Sequence, residues 1–181
     1  MRKTVIVHLS DIHFDDSDAS NQMLDNLQID LQKTEKKVGK YDLLVLTGDC
    51  IDRGKVDLYQ EFANKLNQIM RGCGLRKNRA IVVPGNHDCK QSNPYLSAIK
   101  DKYEGKKDII KDKAEIYKNE RHDISSDVSP LYKEFNEFVQ SYSNKPNGIG
   151  VKYYCTQNMT VRVIFLNSCW STLVNNSTFP A

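Results

Sequence analysis

Three short blocks carry the residues able to do chemistry: Asp11-Ile12-His13, Gly48-Asp49 with Asp52-Arg53-Gly54, and Gly85-Asn86-His87-Asp88. Carboxylates, imidazoles and an amide are the donors that divalent metals of borderline softness prefer, so the set suits Mn²⁺, Fe²⁺ or Zn²⁺ better than Ca²⁺. In an extended strand, residues two apart face the same way, and on that geometry Asp11 and His13 offer a carboxylate and an imidazole to one point. Asp49 and Asn86 each follow a glycine or a Pro-Gly pair, where a missing side chain lets groups crowd around an ion. A pair of such ions about 3.5–4 Å apart can activate water, polarise a phosphoryl oxygen and neutralise charge on attacking and leaving oxygens. The chemistry implied is phosphate-ester hydrolysis.

Each block must be positioned by the element before it. Thr4 to Leu9 reads as a strand, and Asn21 to Val38 carries Leu24, Leu27 and Leu31 at helical spacing up to Gly39. Leu43-Leu44-Val45-Leu46 is a continuous apolar run of the kind buried on both faces, and Leu58, Phe62, Leu66 and Ile69 mark a second helix stopped near Gly72. Ala80 to Val83 is a third strand. Alternating strands and amphipathic helices predict crossover units and a largely parallel sheet, and in such sheets ligands bind beyond the carboxyl ends of the strands. All three blocks fall there.

Residues 90–145 read as a polar, helical insertion, and the part from 90 to 127, beside His87, is the expected substrate-selecting lid. Within it Ser129 as N-cap and Pro130 open a helix bearing Leu131, Phe135, Phe138, Val139 and Tyr142. Val151 to Cys155 and Val161 to Leu166 then predict a hairpin turning at Gln157-Asn158 and opening a second sheet.

Composition bounds the rest. A chain of 181 residues, 39% hydrophobic and 27% charged, suits one globular domain. No stretch approaches the roughly 20 apolar residues of a membrane span, and the N-terminus has no signal-peptide pattern. Five scattered cysteines without a Cys-x-x-Cys pair read as reduced thiols, so a cytoplasmic location is expected. The net charge of +3 is too mild to imply nucleic-acid binding by itself. Two basic clusters, Lys33, Lys36, Lys37 and Lys40, and Arg71, Arg76, Lys77 and Arg79, read as cations gathered at helix C-termini. His8, of opposite parity to Asp11 and His13, reads as a hydrogen-bonded structural histidine, and His122 as a solvent-exposed one.

Taken together, the three blocks resemble the calcineurin-like metallophosphoesterase superfamily, whose pattern runs Asp-x-His, Gly-Asp-x-x-Asp-Arg-Gly, Gly-Asn-His-Asp/Glu, and then further histidines including Gly-His-x-His. The resemblance implies an α/β fold, an αββα sandwich of two mixed sheets flanked by helices, spanning residues 1–181. It implies two divalent metals, Mn²⁺ before Fe²⁺ or Zn²⁺. Asp11 and His13 would hold the first, Asp49 would bridge, and Asn86 would hold the second. His87 would serve the leaving group as hydrogen-bond or proton donor, with Asp88 orienting it and favouring its charged form. Arg53 would grip a phosphate oxygen, the alternative being a surface ion pair with Asp52 or Asp57. The opening Val7 to His13 is similar to phosphodiesterase and nuclease members, so a nucleotide or nucleic-acid substrate is preferred over a phosphoprotein. No histidine follows His122, and the Gly-His-x-His block is absent. The expectation is therefore a catalytic unit truncated at its C-terminus, with weak occupancy of the second metal. Its apolar sheet edges would be open to self-association, and a continuation of the chain or a partner chain would complete the site. The competing expectation is a non-catalytic metal-binding or protein-interaction module on the same fold.

Overall fold

A computed structural model of the chain describes residues 3–53, 55–88, 132–142, 150–156 and 159–165. The expected lid, together with Ser129, Pro130, Leu131, His122, Leu166 and Trp170, lies outside the described residues.

The elements follow in the order β1 (Ile6–Leu9), α1 (Asp18–Val38), β2 (Leu43–Thr47), α2 (Tyr59–Gly72), β3 (Ala80–Val83), α3 (Lys133–Gln140), β4 (Gly150–Cys155) and β5 (Thr160–Phe165). The first three strands form a sheet in the order β1-β2-β3, with parallel pairing throughout. Each step moves one strand in the same direction through a helix, so crossovers of one hand place α1 and α2 on the same face. β4 and β5 pair antiparallel, with Tyr154 opposite Val161. Among the described residues the sheet of β1, β2 and β3 is parallel and that of β4 and β5 antiparallel, in keeping with the expected α/β fold of two sheets and helices. Helical connections impose the first arrangement and a short turn the second.

Alternation along the strands separates two cores. Leu44, Leu46, Ala80 and Val82 face the helices, packing with Leu24 of α1, Phe62, Leu66 and Ile69 of α2, and Phe135, Phe138 and Val139 of α3. Leu43 and Ile81, with Val45 and Val83 beside them, face the other way and pack on Tyr154, Val161 and Val163 of the hairpin. The order of layers is helices, parallel sheet, hairpin. Arg79 Nη1 donates to the Cys155 carbonyl at 3.1 Å and fastens the hairpin to the foot of β3.

α1 begins at Asp18, three residues before the expected Asn21, because Ser17 caps it: the Ser17 hydroxyl accepts from the Ser20 N–H at 3.2 Å. Gly39 closes it with a positive φ of 96°, and its N–H donates to the Glu35 carbonyl. A short 3₁₀ turn, Val56–Leu58, leads into α2.

Candidate metal centre

The chain beyond β1 and the chain beyond β2 run side by side after the regular strands end. Asp11 N–H donates to the Gly48 carbonyl at 3.2 Å, His13 N–H to Asp49 at 2.9 Å, and Phe14 N–H to Cys50 at 3.0 Å. Asp52 N–H returns a bond to the Phe14 carbonyl at 2.9 Å. Phe14, fully buried against Phe62 with ring centroids 5.8 Å apart, pins this loop to the helical core immediately after His13.

Extended geometry, the condition under which the two-residue spacing would align Asp11 and His13, does not persist to His13. Asp11, His13 and Asp49 adopt φ of 54°, 49° and 50°, the left-handed region that costs non-glycine residues about 1–3 kcal/mol each. Asp and His are among the side chains that tolerate it best. The cross-chain bonds just described hold the three turns in place. Their consequence is convergence: ligand atoms of Asp11, His13 and Asp49 all lie within 4.8 Å of one another.

Two glycines make room for this approach. A Cβ on Gly48, whose φ is 102°, would sit 2.7 Å from the Gly85 Cα, and a Cβ on Gly85 would overlap the Asp49 carboxylate. The third block is thereby brought against the second. His87 N–H donates to Asp49 Oδ1 at 2.9 Å, which fixes that carboxylate by one oxygen and leaves the other for a ligand. Asn86 lies half-buried in the turn between Gly85 and His87, both of which touch Asp49. The His87 ring stands edge-on to that of His13, centroids 4.5 Å apart.

Asp88 is not the partner of His87 in this arrangement. It is fully buried, and its Oδ1 accepts from the Cys50 N–H at 3.0 Å, from Ile51 at 3.4 Å and from the Tyr59 hydroxyl at 2.7 Å. Its Oδ2 accepts from the Gly85 N–H at 2.8 Å. Burial pushes this carboxyl up to about 6 despite those donors. The carboxylate facing His87 is Asp52, whose Oδ1 is 3.6 Å from His87 Nδ1 and 4.0 Å from His13 Nδ1. Sequence reading missed that role. Adjacency favoured Asp88, whereas Asp52 entered only as an alternative ion-pair partner of Arg53. Tyr59, the brace of Asp88, carried no sequence signal. Arg53 is exposed with a φ of 31°, and its guanidinium makes no ion pair among the described residues, with Asp52, Asp57 or any other carboxylate. Asp52 and Asp15 are instead reached by Lys55, at 3.9 and 4.0 Å.

The donors fit a divalent cation. Ligand atoms about 2.0–2.2 Å from a shared ion must lie within about 4.4 Å of one another, close to the spread of Asp11, His13 and Asp49. A second grouping, His13, Asp52 and His87, meets the same 4.8 Å limit and shares His13 with the first. His8 stands apart, bonded through Nε2 to the Thr47 hydroxyl at 2.8 Å.

Comparison with known proteins agrees with this geometry. The calcineurin-like phosphoesterase family matches residues 4–171. An uncharacterized metallophosphoesterase-like protein of Bacillus subtilis, YydB, is 33% identical over 87 residues, which is 48% of this chain and 18% of that protein. A probable cyclic nucleotide phosphodiesterase of Vesicomyosocius okutanii subsp. Calyptogena okutanii is 29% identical over 89 residues, 48% of this chain and 34% of that protein. The aligned parts thus span about a third or less of the length of either relative.

Proposed function

The chain belongs to the calcineurin-like phosphoesterase family, and on that premise we propose that it hydrolyses a phosphodiester at a dinuclear metal centre, with a nucleotide as the preferred class of substrate. The observation that carries the reading is the convergence of Asp11, His13 and Asp49 at the carboxyl ends of β1 and β2, with His87 edge-on beside them. The phosphodiesterase relative supports a diester over a monoester.

Asp11 and His13 would hold one cation, Asp49 would bridge through the oxygen that His87 N–H leaves free, and Asn86 would serve the second. Divalent cations there, Mn²⁺ first, would supply Lewis acidity to water and to the phosphoryl group. The chain's own residues do the rest. His87 Nδ1 accepts from the Arg53 N–H at 3.2 Å, so the neutral ring carries its hydrogen on Nε2, from which it can donate a hydrogen bond to a leaving oxygen. Asp52 Oδ1 stands 3.6 Å from that same Nδ1. Arg53, free of carboxylate partners among the described residues, is the group to bind a non-bridging phosphate oxygen.

The test combines metal analysis with turnover of an aryl phosphodiester and an aryl phosphomonoester in Mn²⁺. Asp49→Asn should lower both bound metal and diesterase turnover, the latter by at least about 100-fold. Unchanged turnover in that variant would remove the mechanism. Stoichiometric metal without any turnover would favour a non-catalytic binding module on this fold.

A further inference from the structure

A groove of about 700 Å³ runs along the outward side of α2, away from the metal ligands. Tyr59, at the start of α2, touches Asp88 beside the metal cluster, so the helix leads away from that cluster toward Arg71 in its last turn. Arg76 and Lys77 follow immediately and line the groove just before β3 begins. Among the described residues four cations therefore line it, Lys65, Arg71, Arg76 and Lys77, against one carboxylate, Glu61. Lys65 is engaged by Asp25 of α1 at 3.5 Å. Arg71, Arg76 and Lys77 are exposed and make no ion pair among the described residues. A role at the helix C-terminus accounts for Arg71, but Arg76 and Lys77 lie past its end.

Two of the lining residues, Asn67 and Lys77, are held from behind by Tyr142. Tyr142, fully buried at the end of α3, donates its hydroxyl to Asn67 Oδ1 at 3.3 Å, and the Lys77 ammonium sits 5.7 Å from its ring centroid. Asn64 and Gln68 add amide groups along the same lining. Among the described residues no exposed aromatic ring lines it, so those residues offer no base stacking. What the lining presents is two guanidinium forks and an ammonium for phosphate oxygens, with amides for sugar hydroxyls.

We propose that this groove binds the sugar-phosphate backbone of a nucleic acid, without sequence preference, at a site separate from the metal centre. Its concavity suits a threaded chain rather than a flat lipid surface, and paired guanidinium groups match phosphate better than isolated carboxylates. The proposal goes beyond the phosphodiesterase reading and does not depend on turnover.

The test is fluorescence anisotropy with a labelled 20-nucleotide single strand and its duplex, in EDTA, across a salt series. Removing Arg71, Arg76 and Lys77 together by alanine should weaken binding at least tenfold at low salt. The slope of log affinity against log salt should fall by about 2 for the single strand. Alanine at Lys36, Lys37 and Lys40 makes the same change in net charge and should leave binding intact. Equal losses in the two triple variants, or an unchanged slope in the first, would overturn the groove assignment. Displacement by poly-glutamate as readily as by unlabelled oligonucleotide, or binding to phosphatidylserine vesicles in place of oligonucleotide, would overturn the choice of nucleic acid. Turnover of a small aryl phosphodiester should be the same in the Arg71, Arg76, Lys77 variant as in the parent. Failure of binding therefore leaves the metal-centre reading standing, and failure of Asp49→Asn leaves the groove standing.

Discussion

His87 and Asp88 are neighbours in sequence with unrelated surroundings. The His87 ring faces His13 and Asp52 at the candidate metal site, while the Asp88 carboxylate turns inward and ties together Cys50, Ile51, Tyr59 and Gly85. Truncating each should therefore fail differently. His87→Asn should leave metal content unchanged and lower kcat roughly 100-fold or more for a poor leaving group, with a smaller loss for an activated aryl ester. Steady-state kinetics on the two substrates separates this from loss of metal. Asp88→Ala leaves at least three buried donors without an acceptor, each costing about 1–3 kcal/mol. That variant should show its deficit first in urea unfolding, as a lower midpoint, and only secondarily in turnover.

Elements deliver these residues through their ends rather than their interiors. β1 and β2 stop at Leu9 and Thr47, and the site is built by two irregular segments that keep exchanging backbone bonds for four or five residues further. What anchors them is apolar: Phe14 inserts into the helical core, where Phe62, Phe138, Tyr59 and Phe135 contact one another at ring separations of 5.0 to 6.3 Å. Phe14→Ala should cost about 3–5 kcal/mol by denaturant unfolding. Because His13 precedes it directly, Mn²⁺ affinity measured by calorimetry at a temperature where the variant is folded should also fall. Retained affinity would show that the left-handed turns are held by their hydrogen bonds alone.

At the scale of the whole molecule, the described residues form a parallel sheet with helices on one face and a β-hairpin on the other, and among them the seam between sheet and hairpin is apolar. Tyr154 lies in that seam with 6% exposure, and its hydroxyl has no hydrogen-bond partner among the described residues. A buried, unsatisfied hydroxyl costs about 1–3 kcal/mol. Tyr154→Phe keeps the ring and removes the orphan, so it should raise the thermal midpoint or leave it unchanged. A drop in the midpoint would mean that the hydroxyl is paired in solution. No helix among the described residues is long and apolar enough to cross a membrane.

The strands, their parallel order and the three ligand blocks were legible because they depend on local pattern: the apolar run Leu43 to Leu46 needs no partner to announce a strand buried on both faces, and glycine before Asp49 and Asn86 announces close approach. Local pattern does not reach the backbone at Asp11 and His13, where alignment was argued on extended geometry and left-handed turns were found. Those turns are imposed by backbone bonds to residues 48–50, which no local rule can see. Likewise, sequence adjacency paired His87 with Asp88, and tertiary structure replaced it by Asp52, since which carboxylate reaches a ring depends on how loops from different strands cross. The sequence by itself determined which donors gather at the carboxyl ends of the strands. Only the folded backbone decided which oxygen faces which nitrogen, because side-chain direction there is set by contacts between segments distant in the chain.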